Sequence, residues 1–298
     1  MIIFITGCSG YIGSILSAKL SSDFFIIAGS QKKIVNKNRK IKFKKVDYKS
    51  LNSLKKNFKG ADAVIHLVGM NKEECEKKRK KSLTFKEEVT LNILKACEHN
   101  KIKKLIYLSS SQIYKDFQKN LINEKSKKDT GNYYSKGHIL AENKILNGSV
   151  KNFTIIRASN IFGFIDVKNK GEQKKNLVHM FCEEAVKKNR IEIHNPNIIK
   201  NFLPISTLVN KIKAIIRNKK FDKKIINLGS KSFTLYLLAR KIQNRLNLKK
   251  KKIEIFTKEK IKIQNPEHYF TSLVKKNIFS KKNFDSEIDN IINLQKKS

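Results

Sequence analysis

Thr6-Gly7-Cys8-Ser9-Gly10-Tyr11-Ile12-Gly13 joins an apolar run, Ile2-Ile3-Phe4-Ile5, to a segment with Ile12, Ile15, Leu16 and Leu20 at helical spacing. The run is short and apolar at every position, the pattern of a strand buried on both faces. Each glycine at the joint has its own use. One permits a tight turn, one lets bare backbone approach a pyrophosphate, and one lets the helix pack closely on the strand. The helix start, at Tyr11 and Ile12, offers free N–H groups and the positive end of its dipole to the phosphates. With only 12 glycines in 298 residues, Gly7, Gly10 and Gly13 at this joint are a specific signal for dinucleotide binding.

Working outward, apolar runs at Phe24–Ala28, Ala63–Val68, Leu105–Leu108 and Phe153–Arg157 read as further strands, and Lys42–Val46 as a weaker one. Between them, helical spacing marks 51–58, Leu83–His99 and Tyr134–Leu146. Strands alternating with helices, most strands continuously apolar, predict an α/β fold: a Rossmann-type doubly wound parallel sheet covered on both faces. Regularity weakens after Arg157. Helices are expected at Asn176–Asn189, Leu208–Ile216, Leu235–Leu246 and Ile288–Leu294, a strand at Lys224–Leu228, and a solvated turn at Lys249–Lys252. The expected organisation is a dinucleotide-binding domain over 1–160 and a smaller mixed α/β substrate-binding region over 161–298, with 225–228 returning to the main sheet.

Composition excludes several classes. Hydrophobic residues make up 40% of the chain, too many for wholesale disorder, and no apolar run approaches the ~18 residues of a membrane span. The N-terminus lacks a basic n-region, so no signal peptide is expected. Cys8, Cys75, Cys97 and Cys182 are widely separated. That argues against a disulfide framework or a metal site and suits a reducing cytoplasm. The formal charge is +40, from 65 Lys+Arg against 25 Asp+Glu. Only seven of the 65 are Arg, and Lys runs from Lys19 to Lys297 without a stripe. Nucleic-acid readers concentrate Arg, Lys and aromatics on one surface. The excess therefore reads as compositional drift toward AT-rich codons, and no specific nucleic-acid partner is expected.

The turn is spaced G-x-x-G-x-x-G after a Thr, and it resembles the extended short-chain dehydrogenase/reductase superfamily, in particular the NAD-dependent epimerase/dehydratase family acting on nucleotide sugars. The likeness continues in order along the chain. Val46-Asp47-Tyr48 resembles the acidic position that meets the adenine, and Ala61 to Gly69 the fourth strand and the loop beneath the cofactor, through Leu67, Val68 and Gly69. Leu105 to Tyr114 resembles the strand carrying the catalytic Ser/Thr, Arg157 to Gly163 the R-x-x-N-x-x-G segment, Lys200-Asn201-Phe202 the R-D-F/Y stretch, and Ile226 to Gly229 the late y-N-x-G strand.

The resemblance implies a Tyr that exchanges a proton with a sugar hydroxyl, a Ser/Thr on the same oxygen, and a Lys four residues after the Tyr. That Lys binds the nicotinamide ribose and lowers the Tyr pKa, since a nearby cation favours phenolate. Counting back four from Tyr114 selects Ser110. The Tyr-x-x-x-Lys pair departs from the pattern, and two registers compete. Lys136 as the family Lys puts Asn132 in the Tyr position, where it has no acid–base chemistry. Matching Ala141-Glu142 to the family's A-E pairs Tyr134 with His138 and puts 134, 138 and 142 on one helical stripe. The second register is preferred, with Lys136 about 200° round the helix from Tyr134. A mostly neutral His138 would lower the Tyr pKa less than an ammonium, although it retains hydrogen bonds for ribose hydroxyls. The other reading of His138 is an ordinary helix residue. A second departure is Lys86, which occupies the position of a cofactor-side Asn.

No acid ends the second strand, which reads Gly29-Ser30-Gln31-Lys32-Lys33. An acid there would hold a ribose 2′-hydroxyl and a cation a 2′-phosphate. NAD or NADP is therefore expected, with Ser30 and Lys32 leaning toward NADP. The resemblance implies a nucleotide-diphosphate sugar bound by Ser110, Asn160 and Lys200, and a homodimer. Expected activity is epimerisation or 4-keto reduction. The alternative is a dinucleotide-binding protein of the same fold with an impaired proton relay, which the change of Lys to His motivates.

Overall fold

The computed structural model describes residues 1–32, 38–115, 121–164, 176–247, 252–262, 266, 270–274 and 280–296. Lys33 and Lys249–Lys251 of the sequence reading lie outside them. Strands are β1 (Ile2–Ile5), β2 (Phe25–Ser30), β3 (Ile41–Lys45), β4 (Ala63–His66), β5 (Lys104–Ser110), β6 (Phe153–Ala158), β7 (Asn160–Phe162), β8 (Arg190–Ile193), β9 (Ile199–Pro204), β10 (Lys224–Leu228), β11 (Lys231–Thr234) and β12 (Glu254–Thr257). Helices are α1 (Tyr11–Leu20), α2 (Leu51–Phe58), α3 (Lys72–Lys78), α4 (Lys80–His99), α5 (Tyr133–Leu146), α6 (Leu177–Lys188), α7 (Ile205–Arg217), α8 (Leu235–Asn247) and α9 (Lys281–Gln295).

Seven strands form one sheet in the order β10-β6-β5-β4-β1-β2-β3, and every pair in it is parallel. Burial on both faces explains the unbroken apolar runs. Ile3 and Ile5 point into the layer under α1 and α7, while Phe4 points into the layer under α2, α4 and α5. Gly29 accommodates that ring, since a Cβ there would stand 2.6 Å from it. Strand order reverses between β1 and β4. At such a switch point the loops diverge and leave a crevice at the strand ends.

β10 adds to the main sheet beside β6, with Asn227 opposite Arg157. The rest of the C-terminal region builds a second core from α6, α8, α9, β8 and β9. Two small sheets, β11-β9-β7 and β12-β8, complete it. Their strands, and α3, go unread in the sequence because each is short and carries Lys, Asn or Glu among its apolar residues. Two boundaries also differ. The fourth strand stops at His66, because the Thr6 hydroxyl accepts the N–H groups of Leu67 (2.9 Å) and Val68 (3.2 Å) and turns them off the ladder. The last helix starts at Lys281, capped by the Ser280 hydroxyl accepting from Asn283 N–H at 3.2 Å, well ahead of the apolar stripe that marks it in sequence.

A buried ion pair ties α5 to the sheet. Arg157 of β6 is 1% exposed and Glu142 of α5 is 0% exposed. They meet through two bonds, Nε to Oε1 at 3.0 Å and Nη2 to Oε2 at 2.6 Å. The Ser109 hydroxyl donates to the same carboxylate at 2.7 Å, and Arg157 Nη1 donates to the Tyr114 hydroxyl at 2.7 Å. Tyr114 donates in turn to Asn227 Oδ1 at 2.6 Å. A buried charge is tolerated when it is paired and its remaining valences are filled, and here both conditions hold.

Candidate active site

The first turn of the chain lies at the switch point. Gly7 has φ +71°, a left-handed value that disfavours a side chain, and a Cβ there would sit 3.3 Å from the Val68 backbone. Gly13 is the tightest of the three: its Cβ would stand 2.3 Å from the Gly7 carbonyl oxygen. Gly10 is the N-cap of α1, and no side chain caps that helix. The first-turn N–H groups at Tyr11 and Ile12 therefore have no side-chain cap, and a Cβ at Gly10 would meet only the Gly7 carbonyl oxygen, an opening that fits a diphosphate. The Tyr11 hydroxyl donates to the Gly163 carbonyl at 2.5 Å and so ties this turn to the segment after β7. Burial pushes the Tyr11 phenol well above its usual range. Tyr48 is buried beneath the turn, and its hydroxyl accepts the Gly7 N–H at 2.8 Å, so it supports the turn from inside. Asp47 is exposed; its carboxylate accepts Lys49 N–H at 3.0 Å in the turn before α2. At the end of β2, Ser30 is buried and its hydroxyl accepts Lys32 N–H at 3.1 Å, while Lys32 itself is exposed.

Across the crevice, β5 and α5 bring three sequence candidates together. Ser110 caps the short turn Ser111–Ile113 by accepting Gln112 N–H at 3.1 Å. Its side chain neighbours Tyr134. Burial raises the Tyr134 phenol above its usual range, and the neighbouring Ser110 hydroxyl opposes that. The His138 ring stands edge-on to Tyr134, with centroids 4.7 Å apart, and its Nδ1 lies 2.8 Å from the Tyr107 hydroxyl. Burial, and then the charge of Lys86, hold His138 well below its ordinary pKa, so the ring is neutral near pH 7.

The other register takes a different form. Asn132 is the N-cap of α5, its side chain accepting Ser135 N–H at 2.8 Å, and Lys136 lies over the Tyr133 ring at 5.3 Å. The Glu142–Arg157 pair faces the same stripe as His138.

One residue read only as a departure enters this cleft. Lys86 of α4 is 8% exposed, and its Nζ donates to the Val68 carbonyl at 3.2 Å. Burial lowers its pKa to about 8. It borders a small space of about 10 Å³ with Met70, Cys75, Tyr133, Tyr134 and His138. A signal was available in the sequence. Ser82, Lys86, Val89, Thr90, Ile93 and Cys97 share the buried stripe of α4, so the lysine sits on an inward face.

Asn160 and Lys200 lie on the paired strands β7 and β9. Asn160 Nδ2 donates to the Asn201 carbonyl at 2.8 Å. The Lys200 ammonium is held below its ordinary pKa, first by burial and then by the charge of Lys72.

A parallel sheet with a bare backbone turn at its switch point and a Ser–Tyr pair across the crevice defines a dinucleotide-binding α/β enzyme fold. The model of the NAD dependent epimerase/dehydratase family matches residues 3–229, and the chain belongs to that family, which is one of enzymes. Solved structures agree in fold. The UDP-N-acetylglucosamine 4-epimerase of Bacillus cereus is 19% identical with TM-score 0.79, covering 100% of this chain and 97% of that one. The UDP-glucuronic acid 4-epimerase of Bacillus cereus, in complex with UDP-glucuronic acid and NAD, is 20% identical with TM-score 0.76, covering 99% and 100%. RMD from Pseudomonas aeruginosa, complexed with NADPH, is 16% identical with TM-score 0.71, covering 99% of each chain. No curated protein matches the chain by sequence. Among the described residues, no helix is long and apolar enough to cross a membrane.

Proposed function

We propose that the protein is an NAD(P)-dependent oxidoreductase of a nucleotide-diphosphate sugar, an epimerase or 4-ketoreductase, in which Tyr134 carries the proton. The observation that carries this reading is the gathering of Ser110, Tyr134 and His138 at the ends of β5 and α5, with His138 edge-on to Tyr134 at 4.7 Å, on the same crevice as the uncapped start of α1. The dinucleotide, when bound, supplies the hydride acceptor or donor. Residues 1–160 hold it: Gly7, Gly10 and Gly13 leave room for its diphosphate, the N–H groups of Tyr11 and Ile12 bind it, and Leu67, Val68 and Gly69 form its floor. Asp47 borders the adenine side, while Tyr48 supports the turn from beneath. The absence of an acid at Ser30, with Lys32 exposed beside it, favours NADP.

Residues 161–298, with Asn160 at their edge, hold the substrate. Lys200 and Lys72 concentrate positive charge suited to its diphosphate. Tyr134 is protonated in the resting site, ready to give its proton to a keto oxygen in the reduction direction, and Ser110 fixes that oxygen by hydrogen bonding. In the oxidation direction Tyr134 accepts the sugar hydroxyl proton, a step that needs a lower phenol pKa than burial alone leaves. His138 lies edge-on to the phenol and orients it from the second turn of α5. A homodimer is a further expectation, which sedimentation velocity decides.

The test is Tyr134→Phe assayed on a panel of UDP- and dTDP-sugars and their 4-keto forms. Turnover should fall by about 10²–10⁴, the range of general acid–base catalysis, with dinucleotide affinity unchanged. Turnover equal to wild type refutes the assignment. Dinucleotide binding without turnover on any sugar nucleotide supports the impaired-relay reading.

A further inference from the structure

We propose that Lys86 is the cation of the reaction centre and that its ammonium binds the hydroxyl oxygens of the cofactor ribose that leads to the reactive ring. The inference rests on the dinucleotide reading above. Lys86 reaches the cleft from α4, opposite α5, where the stripe position after Tyr134 is the neutral His138.

Several observations converge on it. The side chain is buried, yet among the described residues no carboxylate pairs with it. A buried unpaired charge is costly and is found where a ligand or a reaction uses it. An ammonium has three donors, and the Val68 carbonyl takes one, at 3.2 Å. Gly69 leaves the space clear, since a Cβ there would stand 2.7 Å from Nζ.

The place of this ammonium selects its ligand. Val68 packs on Gly7 at the glycine turn, Tyr134 and His138 border the same small space as Lys86, and exposed Gly69 opens the Nζ side of that space outward. A dinucleotide running from the turn toward Tyr134 therefore crosses Lys86 with the part between its diphosphate and its reactive ring. That part is a ribose, with two adjacent hydroxyls as acceptors. The titratable groups facing Nζ are His66 of β4, Tyr107 of β5 (ring centroid at 5.1 Å), Cys75 of α3, and Tyr134 and His138 of α5. The Glu76 carboxylate of α3 is taken up at the start of α5, where it accepts the N–H groups of Tyr133 (2.9 Å) and Tyr134 (3.3 Å).

The experiment is calorimetric titration of wild type, Lys86→Met and Lys86→Arg with NADH, NADPH and ADP. ADP carries the adenosine and diphosphate but lacks the second ribose. Loss of hydrogen bonds to a charged group corresponds to about 10–100-fold. Lys86→Met should weaken the better dinucleotide by that factor and leave ADP within about twofold. Its melting temperature should be no lower than wild type, because an unpaired buried charge has gone. Wild-type dinucleotide affinity should fall as pH rises through about 8, where the lysine loses its proton, whereas Lys86→Arg should hold its affinity to higher pH. Unchanged dinucleotide affinity in Lys86→Met, or equal loss for ADP, overturns the proposal. Wild type that binds no dinucleotide overturns both this and the proposed function. Wild type that binds but turns over no sugar nucleotide overturns only the reaction, and the binding comparison still decides Lys86.

Discussion

Replacing Gly13 by Ala tests the phosphate turn most directly. The added methyl carbon would stand 2.3 Å from the Gly7 carbonyl oxygen and 2.9 Å from Cys8 Cα. Both are backbone atoms, so no side chain can swing aside. Ordinary contact between such atoms needs about 3.5 Å, and the turn and α1 must part by about 1 Å. Overpacking of this kind costs about 1–3 kcal/mol. In a chain of this size that is a drop of about 2–6 °C in melting temperature. On the proposed reading, the same shift moves the N–H groups of Tyr11 and Ile12 off the cofactor's phosphate. Losing one charge-assisted bond weakens a ligand about 10–100-fold.

Gly10→Ala is the internal control. Gly10 has φ −80°, which any residue adopts, and its Cβ would meet only the Gly7 carbonyl oxygen, at 3.4 Å. Stability should fall by no more than about 1 kcal/mol, the cost of Ala at an N-cap, while the methyl narrows the opening and still weakens binding. Differential scanning fluorimetry and titration with NADH and NADPH read both effects. If Gly13→Ala melts and binds as wild type, the close-packing argument fails. If Gly10→Ala destabilises as much as Gly13→Ala, the distinction between packing and phosphate approach fails with it.

Arg157→Met should cost about 3–5 kcal/mol in urea denaturation, because it leaves the Glu142 carboxylate charged and buried without its bidentate partner; a loss below about 1 kcal/mol would show that the pair is not what seats α5 on the sheet. The histidines predict acid lability. Burial holds His66 and His138 well below their ordinary 6.5 and His179 at about 4, so the folded chain stays neutral at these sites while the unfolded chain binds protons below 6.5. Stability is therefore full above pH 6.5 and falls as pH drops toward the folded values, by up to about 1.4 kcal/mol per histidine per pH unit. Melting temperatures from pH 7.5 to 5 check this, and a flat profile that is unaltered in His66→Gln contradicts it.

The sheet was legible because its physical cause is local. A strand buried on both faces must be apolar throughout, and a turn that backbone alone can line must be glycine. Both constraints act on a few consecutive residues, so β1, the phosphate turn and the stripe of α5 can be read before any contact is known. The small strands β7 to β9, β11 and β12 take their order from pairing and from the second core, and pairing leaves no periodic trace in strands of three to six residues. Ser110, Tyr134 and His138 could be nominated from spacing. Their mutual geometry, and the Arg157–Glu142 pair that seats α5, depend on side chains far apart in the chain. Lys86 marks the boundary most clearly. In one dimension it reads as a missing contact on α4. Only the crossing of α4 over α5 turns its ammonium into the cleft that holds Tyr134, because which charges share a low-dielectric space is settled by packing.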